Sequence, residues 1–130
     1  MSVIQLTDVG SQRVINHLLG ISDTFGTGAW LALYTTAPGF TGGGVEATGY
    51  SRGLLTTWTL ATSSGFTTAT LDAAEGIASA PAATIVAWAV HDQAVGGSAL
   101  FFCVLDTPVT LSAGDNYLFT PGDLFVSSDF

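Results

Sequence analysis

Two histidines, ten carboxylates, two arginines and one cysteine are what this chain offers for chemistry, and it contains no lysine. The nearest thing to a catalytic pair is His91-Asp92, a base next to an acid. A nucleophilic triad also needs a presented Ser or Cys, and no Gly-x-Ser-x-Gly elbow occurs. His91 therefore reads as a strand-end residue hydrogen-bonded to the adjacent turn. His17 and His91, with no Cys pair, do not have the spacing of a zinc site. The carboxylates Asp8, Asp23, Glu46, Asp72, Glu75, Asp92, Asp106, Asp115, Asp123 and Asp129 stand mostly beside Gly, Pro, Asn or Thr, where Asp caps turns. A glycosidase would need two of them to converge across a cleft. The loop from Asp72 to Glu75 lacks the dense alternating acids of a calcium site. Gly42-Gly43-Gly44 is followed by neither Lys nor a helix, so it is no phosphate loop, and its use is backbone freedom at positive φ. Trp30, Trp58 and Trp88 can stack on sugars, as in a carbohydrate-binding module, but core packing explains them because all three fall in strand-like runs. Cys103, inside Ala99-Leu100-Phe101-Phe102-Cys103-Val104-Leu105, reads as a small buried hydrophobe. The expectation is a protein that is not an enzyme, with no catalytic residue, no metal site and no cofactor.

The elements that position these residues are mostly strands. One short helix is expected before Gly20, capped by Thr7 or Asp8, with Gly20 as its stop. Val14 and Leu18 share one face and Ile15 and Leu19 another, with Arg13 and His17 four apart on the more polar side. Beyond Gly20, β-rich runs alternate with turn residues, the pattern of a sandwich or barrel. Strands are expected at 30–35, in the region 50–60, at 66–71, around Ile77, at 84–92, 99–105, 109–111, 117–119 and 124–127. In 84–92, Ile85, Ala87, Ala89 and His91 should face one way and Val86, Trp88 and Val90 the other. Gly96-Gly97 makes a hairpin turn, and Asp106-Thr107-Pro108 should break the strand that follows it. The fold class expected is mainly β, an antiparallel, jelly-roll-like β-sandwich of about eight strands with one short N-terminal helix. We read residues 1–130 as a single domain, with 1–20 as N-terminal arm and helix and 29–130 as the β-sandwich.

Composition sets the outer limits. Hydrophobic residues are 48% of the chain and charged ones 9%, against about 25% in an ordinary soluble domain. Such a surface is built from Ser, Thr and Gly or is hidden against other subunits. The formal net charge of −8 argues against nucleic acid, which demands clustered Lys and Arg. It argues equally against an anionic membrane surface. The lone cysteine and the lack of a secretory pattern at the N-terminus point to synthesis in the host cytoplasm.

Several stretches together resemble a group of small tailed-phage virion proteins, often labelled tail-fibre-like or minor tail proteins. They are Leu6-Thr7-Asp8, Asn16-His17-Leu18-Leu19-Gly20, Leu31 to Gly39 (LALYTTAPG), Gly42-Gly43-Gly44-Val45-Glu46 and Gly49-Tyr50-Ser51-Arg52. Trp88 to Asp92, Gly96-Gly97, Leu100-Phe101 and Val109 to Asp115 continue the likeness, so it spans nearly the whole chain. His91 stands where Phe is more usual, and 60–83 match loosely.

The resemblance implies a virion structural protein without catalysis. A compact acidic body with neither shaft nor repeats favours a capsid decoration (cement) protein on the capsid exterior, bound to the major capsid protein, over a tail fibre, minor tail or baseplate component. A homo-oligomer, with a trimer favoured by analogy with three-fold capsid positions, is expected. Contacts with partners or other subunits are expected in four places. The N-terminal arm Met1, Ser2, Val3 and Ile4 can add to a neighbour's sheet. Arg13 and Arg52 can form bidentate pairs with acidic partners, with His17 beside Arg13 on the helix. An internal Arg52–Glu46 pair across the Gly-rich loop is the alternative. The loop containing Gly42, Gly43, Gly44 and Glu46 is the third place, and the terminal strand running to Phe130 the fourth.

Overall fold

The computed structural model describes residues 4–20, 28–63, 66–119 and 125–127, and it is mainly β, with antiparallel sheets and one helix. In chain order the elements are β1 (Ile4–Leu6), α1 (Asp8–Leu19), β2 (Ala29–Thr36), β3 (Val45–Glu46), β4 (Gly53–Leu55), β5 (Trp58–Ser63), β6 (Phe66–Leu71), β7 (Glu75–Ile77), β8 (Ala83–His91), β9 (Ala99–Leu111), β10 (Tyr117–Phe119) and β11 (Phe125–Ser127). A six-stranded sheet has the order β1-β9-β8-β2-β3, with β4 also pairing β2. Two smaller sheets, β10-β7 and β11-β6-β5, complete the layers, an arrangement consistent with a β-sandwich.

The central strands β2 and β8 are apolar on both faces, as strands covered on both sides must be. One face presents Leu31, Leu33, Trp88, Val90 and Cys103 to the principal core, which Leu55, Leu71, Ile77, Ala80 and Leu111 complete. Full burial of one such Leu, Ile or Val is worth about 1.5–3 kcal/mol. The other face packs a smaller cluster of Ala32, Tyr34, Ala87, Ala89, Ala99 and Phe102. Small alanines on this face let covering chain approach closely, and Phe40 meets Phe102 edge to face.

Local differences from the expected pattern have physical causes. Ile85 joins Trp88 and Val90 instead of Ala87 and Ala89, because the β8–β9 register shifts between Ile85 and Ala87 and the bulge inverts the alternation. Asp106-Thr107-Pro108 does not break β9. Ala87 opposes Val104 and Ile85 opposes Val109, so the intervening residues are accommodated as a bulge. Pro108 is tolerated there because β1 pairs with Phe101 to Cys103, leaving this part of β9 at the sheet edge among the described residues. The expected strand region 50–60 divides into β4 and β5 at Thr56-Thr57. Both N–H groups there donate to Glu75 Oε1 at 2.9 Å, and the two hydroxyls also bond the carboxylate.

The helix is capped by Thr7, whose Oγ1 accepts from the Gly10 N–H at 3.0 Å, and it gives way to Gly20 at φ 68°. It is rotated relative to the expected orientation. Gly10 is buried and Arg13 turns toward the body, while Ile15, Leu18 and Leu19 are exposed. A Cβ at Gly10 would lie 2.0 Å from the Leu100 carbonyl oxygen. That close approach and the ion pair of Arg13 together set the helix rotation.

Candidate functional site

Most of the described candidate residues gather at one end of the large sheet, around the turn from His91 to Ser98 that joins β8 to β9. Asp92 is its anchor. The Ser98 N–H donates to Asp92 Oδ1 at 2.8 Å, closing the turn on itself. Arg13, from the helix, donates through Nη1 to Asp92 Oδ2 at 2.6 Å. Burial raises the carboxyl's affinity for protons, but the Ser98 amide and the Arg13 guanidinium outweigh it, and Asp92 titrates below the usual aspartate value.

Arg52 clamps the same turn from the other side. Its Nη1 donates to the carbonyls of Gln93 at 2.9 Å and Gly96 at 2.7 Å. Its Nε and Nη2 make a fork on Glu46, 2.9 Å to Oε2 and 2.7 Å to Oε1. This bidentate geometry is what a guanidinium offers a carboxylate. Tyr50 ties the pair to the sheet, donating to Glu46 Oε2 at 2.6 Å and accepting from the Leu33 N–H at 2.8 Å. Burial acts to raise the Glu46 pKa, yet the bonds from Arg52 and Tyr50 lower it overall. The internal Arg52–Glu46 pair is thus the alternative that the structure adopts.

His91 lies beneath this clamp and is 6% exposed. It bonds across to the neighbouring strand, with Nε2 2.6 Å from the Tyr34 hydroxyl, and the Gly96 backbone of the adjacent turn also acts on its ring. Its ring stacks on that of Tyr34 at 6.0 Å between centroids. Nδ1 is buried and makes no hydrogen bond of normal geometry, although the Gly96 backbone on that side favours the protonated ring. Burial and then the positive Arg52 push the His91 pKa down, against smaller opposing effects of Glu46, Gly96 and Asp92, so the ring is held neutral.

Gly42 and Gly43 face the turn across a cleft of about 420 Å³, lined also by Thr7, Tyr34, His91 and Ser98. Gly44 has φ 73°, and a Cβ there would stand 2.6 Å from the Thr36 carbonyl oxygen, so the loop needs glycine at this point. Thr7 Oγ1 donates to the Ala99 carbonyl at 2.6 Å and is occupied within the chain.

Ile4 is elsewhere. It pairs with Cys103 in the chain's own sheet. Three antiparallel pairs with β9 hold Ile4, Gln5 and Leu6 in the chain's own sheet. Likewise β11 pairs with β6 of the same chain. Met1, Ser2, Val3, Phe130 and the side chain of His17 lie outside the described residues. The sequence reading missed that both arginines serve one turn. The signal available was the His91-Asp92 step directly before Gly96-Gly97, a carboxylate placed where a turn needs an acceptor.

Both arginines are thus spent on holding one turn in a fold of antiparallel sheets. Residues 5–127 match the family of the podophage GP4 fiber I protein gp80, and the chain belongs to that family. Comparison with curated proteins found no match.

Proposed function

We propose that this chain is a non-catalytic structural subunit of a fibre carried by the phage particle. The match of residues 5–127 to a family described as a fiber protein carries this reading. The arginine-clamped turn supports it. Both guanidinium groups of the chain hold its own carboxylates, so they stiffen one end of the body instead of presenting charge to a substrate. Its partners are other virion proteins. Nucleic acid is not among them, since the net charge is −8 and both arginines are engaged within the chain. Membranes are not among them either, and no helix of the described residues is long and apolar enough to cross one. No cofactor is required.

Capsid decoration on the major capsid protein lattice is the second reading. The observation favouring it is the absence of any shaft or fixed-period repeat in the 130 residues. A reconstruction of the intact particle, with the copy number measured against the major capsid protein, separates the two. Density for this chain in a tail-attached fibre, at tens of copies or fewer, is expected. Hundreds of copies spread over the capsid lattice would establish decoration and overturn the fibre reading.

A further inference from the structure

Among the described residues, one buried titratable ring is bonded through a single nitrogen. His91 is 6% exposed, and its Nε2 lies 2.6 Å from the Tyr34 hydroxyl. Its Nδ1 is buried and has no hydrogen bond of normal geometry. A neutral imidazole carries one donor and one acceptor, whereas an imidazolium carries two donors. A proton on the ring therefore obliges both nitrogens to donate. Tyr34 can turn its hydroxyl to accept from Nε2. For Nδ1 the acceptor on that side is the Gly96 backbone, the part of the turn that favours the protonated ring.

That carbonyl is already in use. Arg52 Nη1 donates to it at 2.7 Å, and the same nitrogen holds the Gln93 carbonyl at 2.9 Å. A protonated His91 would bring a second cation to the oxygen that Arg52 grips. The other charged and titratable groups around the ring come from every side. β2 supplies Tyr34, and β3 supplies Glu46, whose oxygens are taken by Arg52 and Tyr50. Asp92 follows in the chain, and its oxygens are taken by the Ser98 N–H and by Arg13 of α1. Asp8 of α1 lines the cleft that His91 also borders, where β9 and its approach supply only Ser98 and Ala99. Glu46 and Asp92 favour a charged ring, but burial and Arg52 outweigh them.

We propose that His91 is a pH-sensitive latch on the turn between β8 and β9: when the ring takes a proton from solvent, Nδ1 and Arg52 contend for the Gly96 carbonyl oxygen, and the guanidinium releases the tip of the turn. The base of the turn stays closed, because Asp92 keeps its bonds to Ser98 and Arg13. Opening is therefore local. Gly96 and Gly97 stand at φ 69° and 67°, and glycine gives the released tip other conformations to adopt. The tip carries Val95, which is 85% exposed, and it forms one wall of a cleft of about 430 Å³ that Trp30 and Tyr50 also line. Release reshapes that wall. Histidine is the side chain whose charge changes in mildly acidic solution. The folded ring resists protonation, so the latch is closed above 6.5 and opens as pH falls below it. The device belongs to the chain itself and does not rest on where in the particle the chain sits.

The test is an NMR titration of the full chain from about pH 7.5 to about pH 5. The ring resonances of His91, told from those of His17 by their loss in His91→Phe, should titrate with a midpoint below 6.5. The amides of residues 93–97 should shift with that same midpoint. Backbone order parameters at residues 94–96 should fall across it, from about 0.85 toward about 0.6 or less, while Leu33 and Ala89 in the central strands keep theirs. In His91→Phe the turn should keep its order over the whole range. Far-UV circular dichroism shows whether that variant folds, and His91→Gln takes its place if it does not. The comparison of midpoints within the wild type needs neither variant. The proposal is overturned by a ring that takes no proton before the chain unfolds, by turn amides that move at a different midpoint, by an equal loss of order in the central strands, or by the same turn response without His91.

Discussion

The two carboxylate oxygens of Asp92 are divided between a guanidinium and a backbone amide, and that division predicts unequal costs for its partners. Asp92 is 3% exposed, so removing the Arg13 side chain leaves a buried carboxylate held by backbone amides, that of Ser98 among them. Arg13→Ala should cost about 2–3 kcal/mol, somewhat below the range for a fully buried pair because Arg13 is partly exposed. Asp92→Ala should cost about 3 kcal/mol or more, since it releases the turn as well as the arginine. Urea unfolding of both variants checks this, and equal costs would show that the Ser98 bond contributes nothing. Glu75 is a more exposed case. Its four bonds from Thr56 and Thr57 bring its pKa to about 2 against the opposing effect of burial, but solvent screens it, so Glu75→Ala should cost only about 1 kcal/mol.

Elements here are held together by backbones that nearly touch, and glycine is the residue that permits it. A Cβ on Gly53 of β4 would stand 1.9 Å from the Gly76 carbonyl oxygen of β7. A Cβ on Gly76 would stand 2.2 Å from the Tyr117 carbonyl oxygen of β10. The second layer is therefore seated on the large sheet through a stack of three strands at β4, β7 and β10. Gly53→Ala must displace backbone and should destabilise by about 2–3 kcal/mol. The same change at Gly39, where a Cβ meets nothing within 4 Å, should cost under about 1 kcal/mol. Comparing the two melting temperatures tests whether the stack, and not glycine content as such, holds the layers. The boundaries of β4, β5 and β9 belong to this scale too. Thr56-Thr57 reads as ordinary strand until Glu75 is brought to it from another part of the chain. Asp106-Thr107-Pro108 reads as a break until its place on a sheet edge removes the objection to proline.

Acid should unfold the whole molecule in two stages. The His91 pKa is lowered from 6.5, so its contribution is complete above that value and falls as pH drops from 6.5 through the folded-state value. Glu46, Asp92 and Glu75 are lowered from 4.5, 3.8 and 4.5, so their contribution is present above those values and is lost at lower pH. Thermal melts from pH 7 to pH 3 should therefore show an early loss below about 6.5 and a later one below about 4.5. His91→Phe, which keeps a ring against Tyr34, should flatten the early stage and leave the later one. An unchanged early slope would show that His91 is not its source. At this scale the sequence by itself determined a great deal. Alternation and turn residues marked the β class, the N-terminal helix with a cap at Thr7 or Asp8 and a stop at Gly20, the buried Cys103, and most strand positions, because those signals are local and each strand carries its own. The family was legible as well, in motifs that fix a local turn or strand. Tertiary structure alone decided which face of the helix meets the body, since Gly10 and Arg13 act only against Leu100 and Asp92. It alone brought Arg13 and Arg52, thirty-nine positions apart by their numbers (52 minus 13), onto one turn. It alone gave Ile4 a place in the chain's own sheet. Pairings of this kind depend on which strands become neighbours, and no local pattern encodes that choice.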